Sequence, residues 1–325
     1  MEKIMEQNKH IKLRTVFMGT SDFAKEILEA LLKNDYNIVG VFTKPDSKVG
    51  RKQEISESPV KKFAMEKDIP VFQPEKFNED AISEFKNLKP DLAIVAAYGR
   101  LLPKKVLEAP GLGCLNVHPS LLPKFRGPSP IQNALLVGEK VTGTTIMLLD
   151  EGMDTGDILS QESIRIEDYD NAETLSKKLS ELSIHLLLET VPFWVRRKIE
   201  PKKQNESDAT LCQLIEREDG RIIWEQDAAS INDKYRALYP WPGIFTFWKN
   251  KDSVLRLKLL KIQLQKNNPA THHETGEVFE LGEMIGVQTI KGVIILEEIQ
   301  PEGKKAMSAK DFANGYPGFV GGILI

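Results

Sequence analysis

Leu13-Arg14-Thr15-Val16-Phe17-Met18-Gly19-Thr20-Ser21-Asp22-Phe23-Ala24 is the stretch of this 325-residue chain that decides its fold class. Residues 13–18 are rich in β-branched and aromatic side chains and read as a strand. Gly19-Thr20-Ser21 then turns the chain directly into an apolar-periodic helix over 22–32. A strand feeding straight into a helix is the repeating unit of parallel sheets. The unit recurs downstream. Ile38–Thr43 reads as the next strand, and Ser58-Pro59 starts a helix with a capping hydroxyl and proline at its first position. Val71-Phe72 follows that helix. Leu92–Ala97 is almost wholly apolar, as a central parallel strand covered on both faces must be. Residues 171–198 form a long amphipathic helix opened by Asn171, with Glu173 in its first turn. The expected fold class is α/β, with a doubly wound Rossmann-like N-terminal domain over residues 1–199. Gly19 is the sole glycine of its turn, so no dinucleotide fingerprint is present.

After Lys198 the texture changes. Residues 200–220 are polar and charged, a linker able to cross back over the first domain. Beyond it lie short strand-like runs at Arg221–Trp224, Ile244–Phe247, Leu255–Ile262, Glu277–Glu280, Ile285–Thr289 and Val293–Ile299. Helices at Ala228–Leu238 and Ser308–Asn314 interrupt them. This pattern predicts a C-terminal OB-like β-barrel domain over 221–325. The tail 314–325 reads as a loose, Gly-rich end.

Composition bounds the function. Apolar residues make up 41% and charged residues 28%, with a net charge of −3, as in an ordinary globular protein. Residues 1–200 carry 28 basic and 30 acidic side chains and residues 201–325 carry 16 and 17, so neither half is a generic polyanion binder. The basic residues are nevertheless gathered locally. Residues 244–266 hold Lys249, Lys251, Arg256, Lys258, Lys261 and Lys266 against Asp252 alone, and the long loop Thr43–Glu57 holds Lys44, Lys48, Arg51 and Lys52. Each is either a solvated face or a track for one polyanionic partner. The first twelve residues lack the apolar core of a signal peptide. No stretch approaches the ~20 apolar residues of a membrane span. Cys114 and Cys212 make no disulfide framework. A cytoplasmic protein without membrane contact is expected.

The chemistry gathers at Asn116-Val117-His118-Pro119-Ser120-Leu121-Leu122-Pro123 and, later, at Asp150-Glu151-Gly152-Met153-Asp154-Thr155-Gly156-Asp157. Asn116 and His118 are two apart, so on a strand both side chains share a face. Pro119 and Pro123 leave the ladder and place His118 at the strand's end. An amide donor beside an imidazole suits a carbonyl whose oxygen becomes negative during reaction. Taken alone, Asn-x-His is more often a satisfied polar pair, and an acidic Gly-rich loop is by default a solvated turn.

The whole ensemble changes that balance. Asn116-x-His118-Pro119-Ser120-Leu121-Leu122-Pro123-x-x-Arg126-Gly127-x-x-Pro130 resembles the signature of the 10-formyltetrahydrofolate-dependent formyltransferases, and Asp154 sits where that family keeps its catalytic aspartate. Phe17–Ala24, Thr43-Lys44-Pro45-Asp46 with Gly50-Arg51, Ser58–Lys61, Val71–Pro74, Arg236–Pro242 and Gly303–Ala309 are similar to it as well. The resemblance therefore covers 13–313. It implies transfer of a formyl group from 10-formyltetrahydrofolate, a co-substrate, to the α-amine of methionyl initiator tRNA. Carried over, Asn116, His118 and Asp154 are catalytic. Arg100, Leu101, Leu102, Ser120, Leu121, Leu122, Pro123, Asp150 and Gly152 would hold the folate. Lys44, Arg51, Lys52, Lys249, Lys251, Arg256, Lys258, Lys304 and Lys305 would meet the tRNA, with the Arg51 loop entering the acceptor-stem groove. No metal and a monomer are expected. The alternatives are a formyltransferase of the same fold acting on a nucleotide-sugar amine or glycinamide ribonucleotide, and a catalytically silent RNA-binding relative. Of the remaining histidines, His185 reads as a core residue of its helix, and His272-His273 lacks the neighbours of a metal site.

Overall fold

The structure, a computed structural model, describes residues 13–49, 54–250, 253–267 and 272–325. Arg51, Lys52 and Lys251, three of the residues expected to meet tRNA, lie outside the described residues. The chain divides into two compact units. The first comprises the described residues through Pro130, then Val141–Ile166 and Ser176–Gln213; the second comprises Ile131–Lys140, Glu167–Leu175 and Leu214–Ile325.

Among the described residues the first unit holds a seven-stranded sheet. Its strands are β1 (Arg14–Gly19), β2 (Asn37–Phe42), β5 (Val71–Phe72), β6 (Leu92–Ala96), β7 (Cys114–His118), β8 (Val141–Leu148) and β9 (Ile158–Arg165), in the order β5-β2-β1-β6-β7-β8-β9. Strands β5 to β7 in this order run parallel, while β8 and β9 run antiparallel. Helices α1 (Asp22–Lys33), α2 (Pro59–Glu66) and α6 (Ala172–Val195) are the expected ones; α3 (Glu79–Asn87), α4 (Lys104–Leu107) and α5 (Pro130–Leu136) come in addition, and nearly all of α5 and the first turn of α6 belong to the second unit. Ser21 accepts a capping bond from the Ala24 amide and Ser58 from that of Lys61, each satisfying a donor the helix leaves unpaired. Val16 and Met18 of β1 and Ala93 and Val95 of β6 pack with Phe42, Ile82 and Phe85 in one buried cluster. Within Thr43–Glu57, β3 (Ser47–Val49) and β4 (Glu54–Ser56) pair antiparallel.

This order reverses direction between β1 and β6, and open α/β sheets bind ligands beyond the carboxyl ends of strands at such a point. His118 is the last residue of β7, and Arg100 follows the end of β6 after Ala97 and Gly99, both at positive φ.

The second unit is antiparallel. Its strands β10 (Ile244–Asn250), β11 (Ser253–Gln265), β12 (Val278–Leu281), β13 (Met284–Gln288), β14 (Val293–Pro301) and β15 (Met307–Ser308) pair in the order β10-β11-β14-β13-β12, with β15 on β14. Helix α7 (Ala228–Ala237) precedes them, and α8 (Ala309–Gly315) follows.

Three readings of the sequence are corrected. Arg221–Trp224 is not a strand; only an isolated parallel bridge joins Arg221 to Phe245. His185 is no core residue: its side chain is 59% exposed and lies between Glu162 and Glu189. Residues 314–325 are not loose. Leu324 bridges Trp248 of β10, and Ile323 bridges Glu277 beside β12. Amide–carbonyl bonds of 2.9 Å join Phe247 and Ile325 in both directions, and the Leu324 amide donates to Gly276 at 2.8 Å. The tail therefore bridges β10 on one side and the β12 edge on the other, and closes the sheet into a barrel by covering two open edges. Among the described residues no helix is long and apolar enough to cross a membrane.

Candidate active site

Strand β7 positions two of the three expected residues. Its inter-strand pairs, Asn116 with Met147 and His118 with Thr145, fix a register in which both side chains share one face. Both are buried, at 8% and 4% exposure. The third residue arrives from the turn between β8 and β9. Asp154 adopts φ 56°, a left-handed conformation that Asp tolerates better than most residues. Its Oδ1 accepts a 3.3 Å bond from Asn116 Nδ2, and its Oδ2 accepts one of 2.8 Å from the Gly127 amide. His118 Nδ1 stands 3.7 Å from Asp154 Oδ2.

The geometry determines how the imidazole carries its proton. His118 Nε2 is 3.0 Å from the Phe125 carbonyl oxygen, which can only accept. Nε2 therefore donates, and in the neutral ring the lone pair sits on Nδ1, facing Asp154. The Asn116 amide has two hydrogens and gives one to Asp154, leaving the other for a further acceptor.

The segment 202–212 ties these loops together. Lys202 pairs with Ile158, Thr210 accepts from the Arg126 amide at 2.9 Å, and the Cys212 amide donates to the Arg126 carbonyl at 2.8 Å. The buried Arg126 guanidinium makes a two-pronged bond to Glu206, at 2.9 and 2.7 Å. That bond raises the Arg126 pKa and holds the Glu206 carboxyl below the usual carboxylate range. Gln204 lies on the same guanidinium and on the backbone of the Asp154 turn. Burial pushes the neighbouring Cys212 thiol up.

Two adjoining clefts, which share Lys104 and Glu151, lie at the strand ends of this unit. One of about 740 Å³ is lined by Phe77, Arg100, Leu101, Leu102 and Pro103 among others. One of about 490 Å³ is lined by Leu148, Leu149, Asp150 and Gly152 among others. Both volumes suit a small-molecule ligand. Leu101 turns an exposed apolar side chain to the solvent there, while the Arg100 guanidinium is spent on the carbonyls of Pro74 and Glu75. Asp150 accepts from the Gly152 amide and the Thr155 hydroxyl, so it shapes its own turn. Ser120–Pro123 do not line these two clefts: Ser120 and Leu122 are buried, and the Ser120 hydroxyl donates to the Lys124 carbonyl. Lys44 packs over Gly99 at the end of β6.

In the second unit, Arg256 and Lys258 of β11 project away from the buried Leu257 and Leu259 and pair across the strands with Phe247 and Phe245. The Arg256 guanidinium lies 3.7 Å from the Phe245 ring centre, and that of Arg221 lies 5.4 Å from the Phe247 ring centre. Lys249 is exposed on β10. Lys304 bonds the Tyr316 hydroxyl, and Lys305 is exposed. The sequence reading found the cations of this face but missed Arg221, Phe245 and Phe247, although alternation along β10 puts both rings beside them. His273 stacks on Phe279 and bonds Glu277. Among the described residues no cluster of His, Cys, Asp and Glu is arranged to hold a metal ion.

Comparisons with known proteins show the family. Residues 13–191 match the family described as formyl transferase, and residues 214–317 match the formyl transferase C-terminal domain. The methionyl-tRNA formyltransferase of Caldicellulosiruptor saccharolyticus is 45% identical over 95% of this chain and 99% of its own length. That of Thermodesulfovibrio yellowstonii is 42% identical over 92% and 95%. The chain belongs to the methionyl-tRNA formyltransferase family. As a family member it shares its fold with the N-formyltransferase of Helicobacter canadensis, solved with folinic acid and dTDP-3-aminofucose. The TM-score is 0.64 at 21% identity, over 87% of this chain and 98% of that one.

Proposed function

We propose that this chain, acting as a monomer in the cytoplasm, transfers the formyl group of 10-formyltetrahydrofolate to the α-amine of methionyl initiator tRNA. Asn116, His118 and Asp154 carry the chemistry. The observation that bears this reading is their convergence: an amide hydrogen, an imidazole lone pair and a carboxylate meet within 3.3 and 3.7 Å at the end of β7, in a chain of this family.

The co-substrate supplies an activated formyl carbon. The amine attacks that carbon, a new C–N bond forms, and the carbonyl oxygen takes up negative charge. The second Asn116 hydrogen stabilises that oxygen. His118 Nδ1 accepts the proton the amine sheds, and Asp154 stabilises the imidazolium and orients the ring. The same proton passes to N10 of the folate as the bond from N10 to the formyl carbon breaks. No covalent enzyme intermediate is required, and holding two large substrates together supplies much of the rate. The two clefts would take the folate, with Leu101 and Phe77 against its flat apolar parts. The cationic outer face of β10 and β11 would take the tRNA, since RNA is gripped through phosphates and through stacking on guanidinium planes, with Arg256 laid over the buried Phe245 ring.

A formyl-transfer assay with methionyl initiator tRNA tests this reading. Formylmethionyl-tRNA is the expected product, and turnover of a nucleotide-sugar amine instead would overturn the choice of acceptor. The tRNA face makes a separate prediction. Arg256→Ala and Lys249→Ala each flatten the dependence of log affinity on log salt by about one unit without changing folate affinity. Unchanged slopes would leave the stripe a solvated surface.

A further inference from the structure

We propose that Gln204 is a positioning residue for the reaction, holding the Asp154 turn in its working shape. This role rests on the formyl-transfer reading above. Gln204 Nε2 donates to the backbone carbonyls of Asp154 and Gly156, both at 2.8 Å. Its Oε1 accepts from Arg126 Nε at 3.0 Å and Nη2 at 2.9 Å. The orientation of the amide admits no alternative, because carbonyls only accept and a guanidinium only donates. All four bonding positions of the side chain are therefore used, and each end has a different task.

These bonds complete a ring of contacts. Arg126 holds Gln204, Gln204 holds the Asp154 backbone, and the Asp154 carboxylate is held by the amide of Gly127, the residue next to Arg126. Asp154 sits at φ 56°, a conformation that Asp tolerates but that its surroundings help to hold. Next in the turn, a Cβ at Gly156 would come within 1.8 Å of the Leu148 carbonyl oxygen, so the turn has no slack on that side. Gln204 clamps the other side. Glutamate in its place would keep the acceptor for Arg126 and lose both donors. Methionine would keep the volume and lose donors and acceptor alike. Asparagine is one methylene too short to span the two partners.

The experiment compares wild type with Gln204→Glu and Gln204→Met by steady-state kinetics, melting temperature and amide exchange. Both variants are expected to lose about ten-fold or more in kcat, the usual scale for a group that orients a reacting one. KM for 10-formyltetrahydrofolate stays within about two-fold. Gln204→Glu keeps its bond to Arg126 but sets a carboxylate oxygen against two carbonyls, so turnover of both variants is measured well below their melting temperatures, where its loss cannot be assigned to unfolding. In both variants the Gly127 amide exchanges faster as the Asp154 carboxylate moves away, while the Val95 amide in the core keeps its protection. A kcat within about two-fold of wild type in both variants overturns the role, as does a lowered melting temperature with kcat intact. If the wild type forms no formylmethionyl-tRNA, the functional reading falls, and exchange at Gly127 alone decides whether Gln204 holds Asp154.

Discussion

Asn116→Ala and Asp154→Ala each lower kcat by about 10²-fold or more, equivalent to about 2.7 kcal/mol of transition-state stabilisation. Asn116 is buried with one amide hydrogen on Asp154 at 3.3 Å and the other uncommitted, so alanine removes both the oxyanion donor and a brace on the carboxylate. Asp154 accepts from Asn116 and Gly127 and faces His118 Nδ1, so alanine removes the charge that orients and stabilises the imidazolium. Asp154→Asn separates charge from shape, because Asn also tolerates the left-handed backbone seen here. It is expected to melt like wild type and to turn over nearly as poorly as the alanine variant. Rapid-quench measurement of formylmethionyl-tRNA provides the check. Near-normal turnover by purified Asn116→Ala or Asp154→Asn enzyme would remove these residues from the chemistry and return the pair to ordinary polar packing.

Trp248→Ala is the most damaging single truncation expected in the second unit, at about 3–5 kcal/mol. Trp248 is 1% exposed and meets Phe312, Tyr316 and Phe319 edge-on at centroid distances of 5.8, 6.0 and 5.3 Å. Its loss leaves a cavity beneath α8 and beneath the closing tail, because Leu324 bridges Trp248 itself. A fall in Tm of about 10 °C or more follows for a unit of this size. Calorimetry would contradict this account if the variant melted within a degree or two of wild type.

Much of the first unit was legible because its determinants are local. The β-branched run before Gly19, the Ser58-Pro59 cap and the apolar Leu92–Ala96 strand each declare their state within a few residues. The candidate site was legible for a different reason: Asn116 and His118 share a strand, and the surrounding motif carries a family resemblance. What escaped was non-local. Arg221–Trp224 has the alternation of a strand, with Ile222 and Trp224 buried and Ile223 exposed, yet the backbone pairing it finds is a single bridge. His185 lies on a helix whose neighbours Leu186 and Leu187 are buried, yet it faces outward, between Glu162 of β9 and Glu189 one turn on. The tail carries four glycines in 315–322 and no period-two apolar pattern. Its strand character comes wholly from the backbone edges it meets at Phe247 and Gly276. Gln204 sits in a run that composition marks only as polar, and its partners are about fifty and eighty positions away.

The closing tail also sets an order of events on the ribosome. Every strand it joins is synthesised before it, and residues 321–325 must clear the exit tunnel before β10 and β12 lose their open edges. The parallel sheet has no such delay, since β1, β2, β5, β6 and β7 have all been made by residue 118. A nascent chain that has emerged only as far as residue 315 would therefore present a finished parallel sheet followed by a second unit with two unpaired edges, the state in which chaperones and proteases recognise an incomplete product.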